Sequence, residues 1–319
     1  MRAQRTQLII ILSSMLLAAC AGQIPVHQPL STAARSDLEA TDVVLPIQQS
    51  EIYVFVPHST AASTGLGGGL LGALIDTGID SVRTSKAETA VTPLRNALVD
   101  YSFDNALQTE LKASLAQVAW LHAGSSFTVV RDVSNDNLDK TLAASRASAI
   151  LFVLADYRLS NDGDEMLVTL QAALIPNNDQ LRALRAAKHD DKIPVALSNA
   201  LYRNRFIFEA HVSTTGDRNH NIAEWSADNA SAARAALTMA ARKLAPLLID
   251  DLQRAESDVG PPANAPYVAA GLSGEVTECG ISPSEAQCGK TAMVLSQDRD
   301  GEAFRYKDGS IKYLKIGNF

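Results

Sequence analysis

The residues best suited to catalysis or metal binding are spread along the chain. No two histidines stand at a spacing typical of metal ligands. His189 precedes two aspartates, a pattern more typical of a charged loop than of a metal site. Asp298-x-Asp300-Gly301 begins like a calcium-binding loop, but Lys307 occupies the position where such a loop needs a bidentate glutamate. We therefore predict no catalytic residue, no metal site and no cofactor. The histidines are His27, His58, His122, His189, His211 and His220.

A glycine-rich apolar run, residues 65–75, contains a formal dinucleotide fingerprint in Gly67-x-Gly69-x-x-Gly72. That fingerprint places its glycines directly at the end of a strand. Here about ten residues, including Pro57, separate the run from the nearest predicted strand. We therefore expect no nucleotide binding.

The same run has the spacing of a close-packing helix face. Gly65 and Gly69 are four residues apart, as are Gly68 and Gly72, so a helix would present a side free of side chains. We predict that these four glycines contact a second copy, a protein partner or lipid. The other interpretation, in which the run packs against its own domain, stays open.

The N-terminal residues carry the most specific pattern. Arg2 and Arg5 precede ten mostly apolar residues, Leu8 to Leu17, and a spanning helix would need about 20. Leu17-Ala18-Ala19-Cys20 then places two small residues before a cysteine. This pattern resembles the signal of bacterial lipoproteins; an ordinary cleaved signal with an incidental cysteine is the alternative.

The resemblance implies that residues 1–19 are a removed signal peptide and that Cys20 becomes the lipid-bearing first residue. Ala21 follows the cysteine, where lipoproteins kept in the inner membrane tend to have aspartate. The implied location is therefore the cell outer membrane, with a lipid anchor and the body facing the periplasm.

Charge and cysteine content limit the function classes further. The chain has 28 basic and 35 acidic residues; without Arg2 and Arg5 the balance is 26 against 35, a net charge of −9. Nucleic-acid binding favours a basic surface, so we exclude it. Cys279 and Cys288 are nine residues apart, and we predict that they form a disulfide in an oxidising compartment.

Composition and periodicity predict an α+β fold, a mixed sheet with helices packed on it and a small C-terminal β-rich tail. We expect a lipidated flexible linker over 20–48, the α+β domain over 49–255, a second linker over 256–268 and the disulfide-closed tail over 269–319. The predicted strands are 51–56, 127–130, 149–155, 166–175 and 206–212, with a hairpin at 304–316 around the turn dipeptide Asp308-Gly309. The predicted helices are 102–119, 134–144 and a long helix from Asp228 to about Arg254, with a kink or break at Pro246.

The order of the first elements resembles a β-α-β-α-β-β unit of cell-envelope proteins. The segments that carry this resemblance are Asp104 to Leu111, Phe127 to Arg131 and Ala149 to Ala155. Examples of the unit are the curli-secretion lipoproteins and the amino-terminal domain of the Tol-system propeller protein. The resemblance implies a domain that binds protein partners or assembles into rings.

Taken together, these patterns predict a non-enzymatic envelope assembly, scaffold or accessory factor. Its expected partners are the membrane, through the lipid anchor, and a protein partner or a second copy of the chain. The alternative is a periplasmic hydrolase whose active site is assembled from dispersed residues.

Overall fold

A computed structural model describes residues 27–47, 49–55, 85–131, 135–184, 200–213, 216–254, 267–270, 276–280, 291–306 and 309–317. These residues form one mixed sheet with helices packed on it, which confirms the predicted α+β class. The strands are β1 (Thr41–Pro46), β2 (Tyr53–Val54), β3 (Ala123–Val130), β4 (Ala149–Leu159), β5 (Glu165–Pro176), β6 (Tyr202–His211), β7 (Tyr267–Ala270), β8 (Val276–Gly280), β9 (Thr291–Gln297), β10 (Gly301–Tyr306) and β11 (Ile311–Lys315). The helices are α1 (Thr32–Ser36), α2 (Ser85–Ala97), α3 (Phe103–Leu115), α4 (Asn135–Ala144), α5 (Asp179–Ala183) and α6 (Arg218–Gln253).

The strand order across the sheet is β3-β1-β4-β5-β6-β11-β10-β9-β7-β8, with β2 beside the end of β4. Strand β1 runs parallel to both of its neighbours, β3 and β4. Strands β4, β5 and β6 form an antiparallel meander, and β11 then joins β6 in parallel. A parallel neighbour needs a crossover connection, and the segment between β6 and β11 contains α6.

The predicted linker over 20–48 is wrong for residues 27–47, which belong to the folded body. Residues 41–46 form β1, which lies inside the sheet between β3 and β4. Val43 and Leu45 are fully buried, because a strand with a partner on each side and helices on one face has little contact with solvent. Residues 41–46 lie near prolines and are too few to show a clear alternation of apolar and polar side chains. The predicted first strand, 51–56, is only the two-residue β2.

Helices α2, α3 and α6 cover one face of the sheet, which we call the helical face. In α3, Leu107, Leu111 and Leu115 recur one turn apart and are buried in the main core. The Ser102 side chain accepts a hydrogen bond from the Asn105 backbone and caps the helix. The helix predicted over 102–119 is therefore confirmed, with its regular part ending at Leu115.

The long helix α6 begins ten residues before its predicted start at Asp228. Asp217 is the N-cap, and its side chain accepts from the His220 backbone. The helix is interrupted at Ala227–Ala230, where Asp228 and Asn229 have left-handed backbone angles with φ of 49° and 57°. Aspartate and asparagine tolerate this conformation better than most residues. Of the kink or break predicted at Pro246, a break does not occur, since the non-helical angles inside α6 lie at 227–230.

The hairpin predicted at the C-terminus is confirmed as β10 and β11. It is part of the main sheet, however, so the expectation of a separate tail is wrong for these strands. Strand β11 pairs with β6, and the Tyr313 ring stacks on Phe208 with centroids 5.9 Å apart. Ile311 and Tyr313 belong to the main core. None of the described helices is long and apolar enough to cross a membrane.

The position of β1 can be tested with Leu45→Ala. Leu45 is fully buried in the core, so the substitution should lower the free energy of unfolding by about 2–5 kcal/mol in urea titrations. The control Val99→Ala removes an apolar side chain that is 85% exposed and should change it by less than about 0.5 kcal/mol. Equal stability of the two variants would contradict a core role for β1.

Candidate functional site

A buried cluster of polar side chains surrounds Asp251, near the end of α6. The Asp251 side chain is fully buried. The Tyr202 hydroxyl and the Asn204 amide each donate to its Oδ2 atom at 2.8 Å, and the Arg305 guanidinium donates to Oδ1. The cluster therefore joins α6 to β6 and β10 on the helical face.

Local sequence spacing explains how these groups meet. Leu244, Leu248 and Asp251 recur at helical spacing and are all buried, so the carboxylate occupies a core position of α6. Tyr202 and Asn204 are two residues apart in β6 and share one face. A negative charge near a helix C-terminus is unfavourable because the backbone carbonyls are unpaired there. The Arg305 side chain offsets that cost.

The segment that follows the predicted anchor is tied into the same cluster. His27 is buried, and its Nε2 atom lies 3.3 Å from Asp251 Oδ2. The His27 ring also contacts Tyr202 edge-on. Gly309, with φ of +83°, packs against His27: a Cβ at this glycine would lie 2.1 Å from His27 Cβ. Only glycine fits there, because any side chain would displace the histidine.

The charges of this cluster are fixed by their surroundings. Burial alone would raise the pKa of Asp251, but the neighbouring His27 and Arg305 outweigh it and hold that pKa well below the usual range. Burial and the nearby Asp251 carboxylate raise the pKa of Tyr202 well above its usual value. At neutral pH the aspartate is therefore ionised and the tyrosine keeps its proton. The cluster therefore joins these elements through an ionised carboxylate and its donors.

A second cluster lies on the other face of the sheet, which we call the open face. Strand register places Glu165 opposite His211, and Leu167 opposite Glu209. Glu165, Glu209 and His211 could each offer one metal-ligand atom, and these atoms lie within 4.8 Å of one another. His211 Nε2 is 3.2 Å from Glu209 Oε1, and the Lys312 ammonium pairs with the other Glu209 oxygen.

The positive charge at this cluster comes from two of its own side chains, His211 and Lys312. The hydrogen bond to Glu209 raises the pKa of His211 and so favours the protonated imidazole. Burial would raise the pKa of Glu209, but His211 and Lys312 lower it. Burial, followed by the Glu209 charge, raises the pKa of Glu165. Glu209 therefore pairs with two basic side chains, His211 and Lys312, and Glu165 lies beside this ion-pair network.

A third buried charge, Asp156, lies on β4 facing the same side. The Tyr53 hydroxyl donates to it at 2.8 Å, and Arg158 lies 3.1 Å from its other oxygen. Burial raises the pKa of Asp156. The Arg158 guanidinium also lies 4.8 Å from the centre of the Phe55 ring. These contacts help to attach β2 to the sheet, because β2 has only two residues that pair with β4.

Most of the residues predicted to carry function lie outside the described part of the chain. These are Cys20, Gly65, Gly68, Gly69, Gly72 and Cys288. Cys279 lies in β8. The disulfide, the lipid anchor and the glycine contact therefore remain predictions.

The turn at Asp298 has contacts of its own. Asp298 accepts hydrogen bonds from the Asp300 and Gly301 backbone amides, from Tyr313 and from Lys243. Its oxygens stabilise a β-turn against α6.

Sequence reasoning missed the Asp251 cluster. A weak signal was present, because Asp251 interrupts an apolar helical row that includes Leu244 and Leu248. A buried acidic position demands a basic partner. That partner, Arg305, is 54 residues away and cannot be identified from spacing.

The joint can be tested with Asp251→Asn. The substitution leaves Arg305 buried without its counter-ion, so we expect a loss of about 3–5 kcal/mol in the free energy of unfolding at neutral pH. The folded-state pKa is lowered from 3.8, so the ionic contribution is full above that pH and is lost as the pH falls through the lowered pKa. The difference in the free energy of unfolding between the wild type and Asp251→Asn should therefore become smaller in acid.

The matched control for this measurement is Asp250→Asn, which removes the same charge from an exposed neighbour. Its effect should stay within about 0.5 kcal/mol. A similar loss for both variants would show that net charge, and not the buried joint, sets the stability.

No protein-family model and no curated protein matches the chain. Among solved structures it is similar to a PelC dodecamer from Paraburkholderia phytofirmans, with 12% sequence identity and a TM-score of 0.26, over 72% of this chain and 96% of that one. A variant PelC dodecamer from the same organism gives 12% identity and a TM-score of 0.25, over 72% of this chain and 97% of that one. We draw neither fold nor function from a likeness at this TM-score.

Proposed function

We propose that this protein is a lipid-anchored envelope accessory factor that acts by self-association through the outer edge of β3. The observation that carries the proposal is the position of β3 at the end of the sheet. Within the described residues, β3 has a strand partner only on the β1 side. An open edge presents unpaired backbone donors and acceptors and is a template for another strand.

Backbone geometry identifies the groups that face outward. The Ile47 amide donates to the Val130 carbonyl at 3.0 Å, so the Val130 backbone faces β1. Successive residues of a strand direct their backbone groups to opposite sides. The Val129 amide and carbonyl therefore face the open edge. Two copies that paired along this edge would use one self-complementary surface, as twofold dimers do.

The buried charges favour binding over catalysis. Asp251 pairs with Arg305, Glu209 with Lys312, and Asp156 with Arg158. A general acid or base needs a proton that it can exchange near the operating pH. Each of these three carboxylates instead neutralises a neighbouring cation, which suits a rigid body that presents surfaces to partners.

The lipid anchor at Cys20 and the glycine contact at Gly65, Gly68, Gly69 and Gly72 belong to the same proposal. Several acyl chains, each methylene contributing about 0.8 kcal/mol, hold a protein stably at a membrane. Anchoring confines copies to one surface and raises their local concentration. Weak pairing at a strand edge can then produce assembly.

The edge can be tested with Val129→Pro, which removes one outward amide while leaving the β1-facing amides in place. We expect a loss of at least about ten-fold in association constant, measured by light scattering and by crosslinking in intact cells, because proline blocks pairing at an edge. The control Val129→Thr keeps the amide and a branched side chain of similar size, and should associate like the wild type. Unchanged association of a folded Val129→Pro protein would reject β3 as the interface.

The anchor can be tested with Cys20→Ser in cells fed a radiolabelled fatty acid. The serine variant should lose all acyl label and leave the membrane fraction, since the thioether cannot form. Cys279→Ser removes a different cysteine and should keep the label. Label that persists in the Cys20→Ser protein would refute lipidation at this residue.

A further inference from the structure

The chain becomes part of the folded body only seven residues after Cys20. The Gln28 amide donates to the Arg203 carbonyl at 2.8 Å, and the Arg203 amide donates back at 3.1 Å. The Gln28 side chain donates to the Ala200 carbonyl at 2.7 Å. His27 is enclosed by Asp251, Tyr202 and Gly309. We call these contacts of His27 and Gln28 the latch.

The latch limits how far the body can lie from residue 20. Six residues, 21–26, separate Cys20 from His27. Seven fully extended steps span at most about 25 Å. The 28-residue linker predicted from sequence would have had more than this reach even as a flexible coil, at roughly 30 Å, and several times more when extended.

The latch lies at one end of the sheet. Strand pairing places Tyr202 opposite Leu174, near the end of β5, and Asp251 lies there in the last turn of α6. The opposite end contains the turn at Asp162 and Gly163, where Trp225 and Asn221 of α6 donate to backbone carbonyls. Strand β5 has 12 residues and spans about 40 Å. The two ends are therefore farther apart than the tether is long.

We infer that the latch end of the sheet faces the lipid surface and that the turn at Asp162 faces away from it. The inference rests on the proposed lipidation of Cys20 and adds the orientation of the body. The partner of the latch end is the bilayer itself, held there by tether length and not by charge. Zwitterionic and anionic lipid should therefore give the same orientation.

The test uses full-length lipidated protein in phosphatidylcholine vesicles that contain an acceptor-labelled lipid. A donor dye is placed at Asp179→Cys, an exposed position just beyond β5 at the latch end, or at Asp162→Cys, an exposed position in the far turn. Both proteins carry Cys279→Ser and Cys288→Ser. Energy transfer from position 179 should reach half-quenching at an acceptor density at least about two-fold lower than from position 162, given a separation of about 40 Å.

The matched control inserts 20 Gly-Ser residues between Ile24 and Pro25. This insert adds roughly 25 Å of typical reach and should largely remove the difference between the two dyes. Equal transfer from both positions in vesicle-bound protein without the insert would overturn the orientation while leaving the anchor intact. Protein that fails to bind vesicles at all would overturn the anchor and, with it, the orientation. If energy transfer differs between the two positions only when the vesicles contain phosphatidylglycerol, charge and not tether length orients the body.

Discussion

The Asp251–Arg305 ion pair is the constraint on which the arrangement of the body depends. It lies where α6, β6, β10 and the segment at His27 meet. These four parts of the chain are far apart in sequence, and all of them contact the Asp251 carboxylate or contain it. Burying such a pair costs desolvation that attraction alone does not always repay. In this arrangement three donors, Tyr202, Asn204 and Arg305, satisfy the buried carboxylate.

The two faces of the sheet differ in the side chains that cover them. On the helical face, apolar side chains of the strands and of α2, α3 and α6 form one continuous core. On the open face a smaller apolar cluster around Phe152 and Ile150 gives way to the charged groups at Glu209 and Lys312. In the described part of the chain, β3 ends the sheet and pairs with β1 alone. The proposed pairing between copies would use this edge.

Elements with a long, regular pattern could be predicted from sequence. The helix containing Leu107, Leu111 and Leu115 was identified because its apolar residues recur at helical spacing. Strand β4 was identified because residues 149–155 are apolar throughout, as in a central strand that is covered on both faces. The β10–β11 hairpin followed from the Asp308-Gly309 turn signal. β1 was missed because its three apolar residues, Val43 to Leu45, carry no period that distinguishes a buried strand from a linker. The start of α6 was missed because a left-handed interruption at Asp228 divides its pattern.

The sequence by itself determined the fold class, the type and rough position of the long elements, the net charge and the residues of the lipoprotein-like pattern at Cys20. Local spacing carries that information, because apolar residues recur at a fixed interval along a helix or a strand and the interval can be recognised within one element. Only the tertiary structure decided that His27 and β1 belong to the body, that β11 lies beside β6, and that Asp251 meets Arg305. Those contacts join residues between 54 and more than 200 positions apart, and their partners are chosen by packing in three dimensions, which no local pattern encodes.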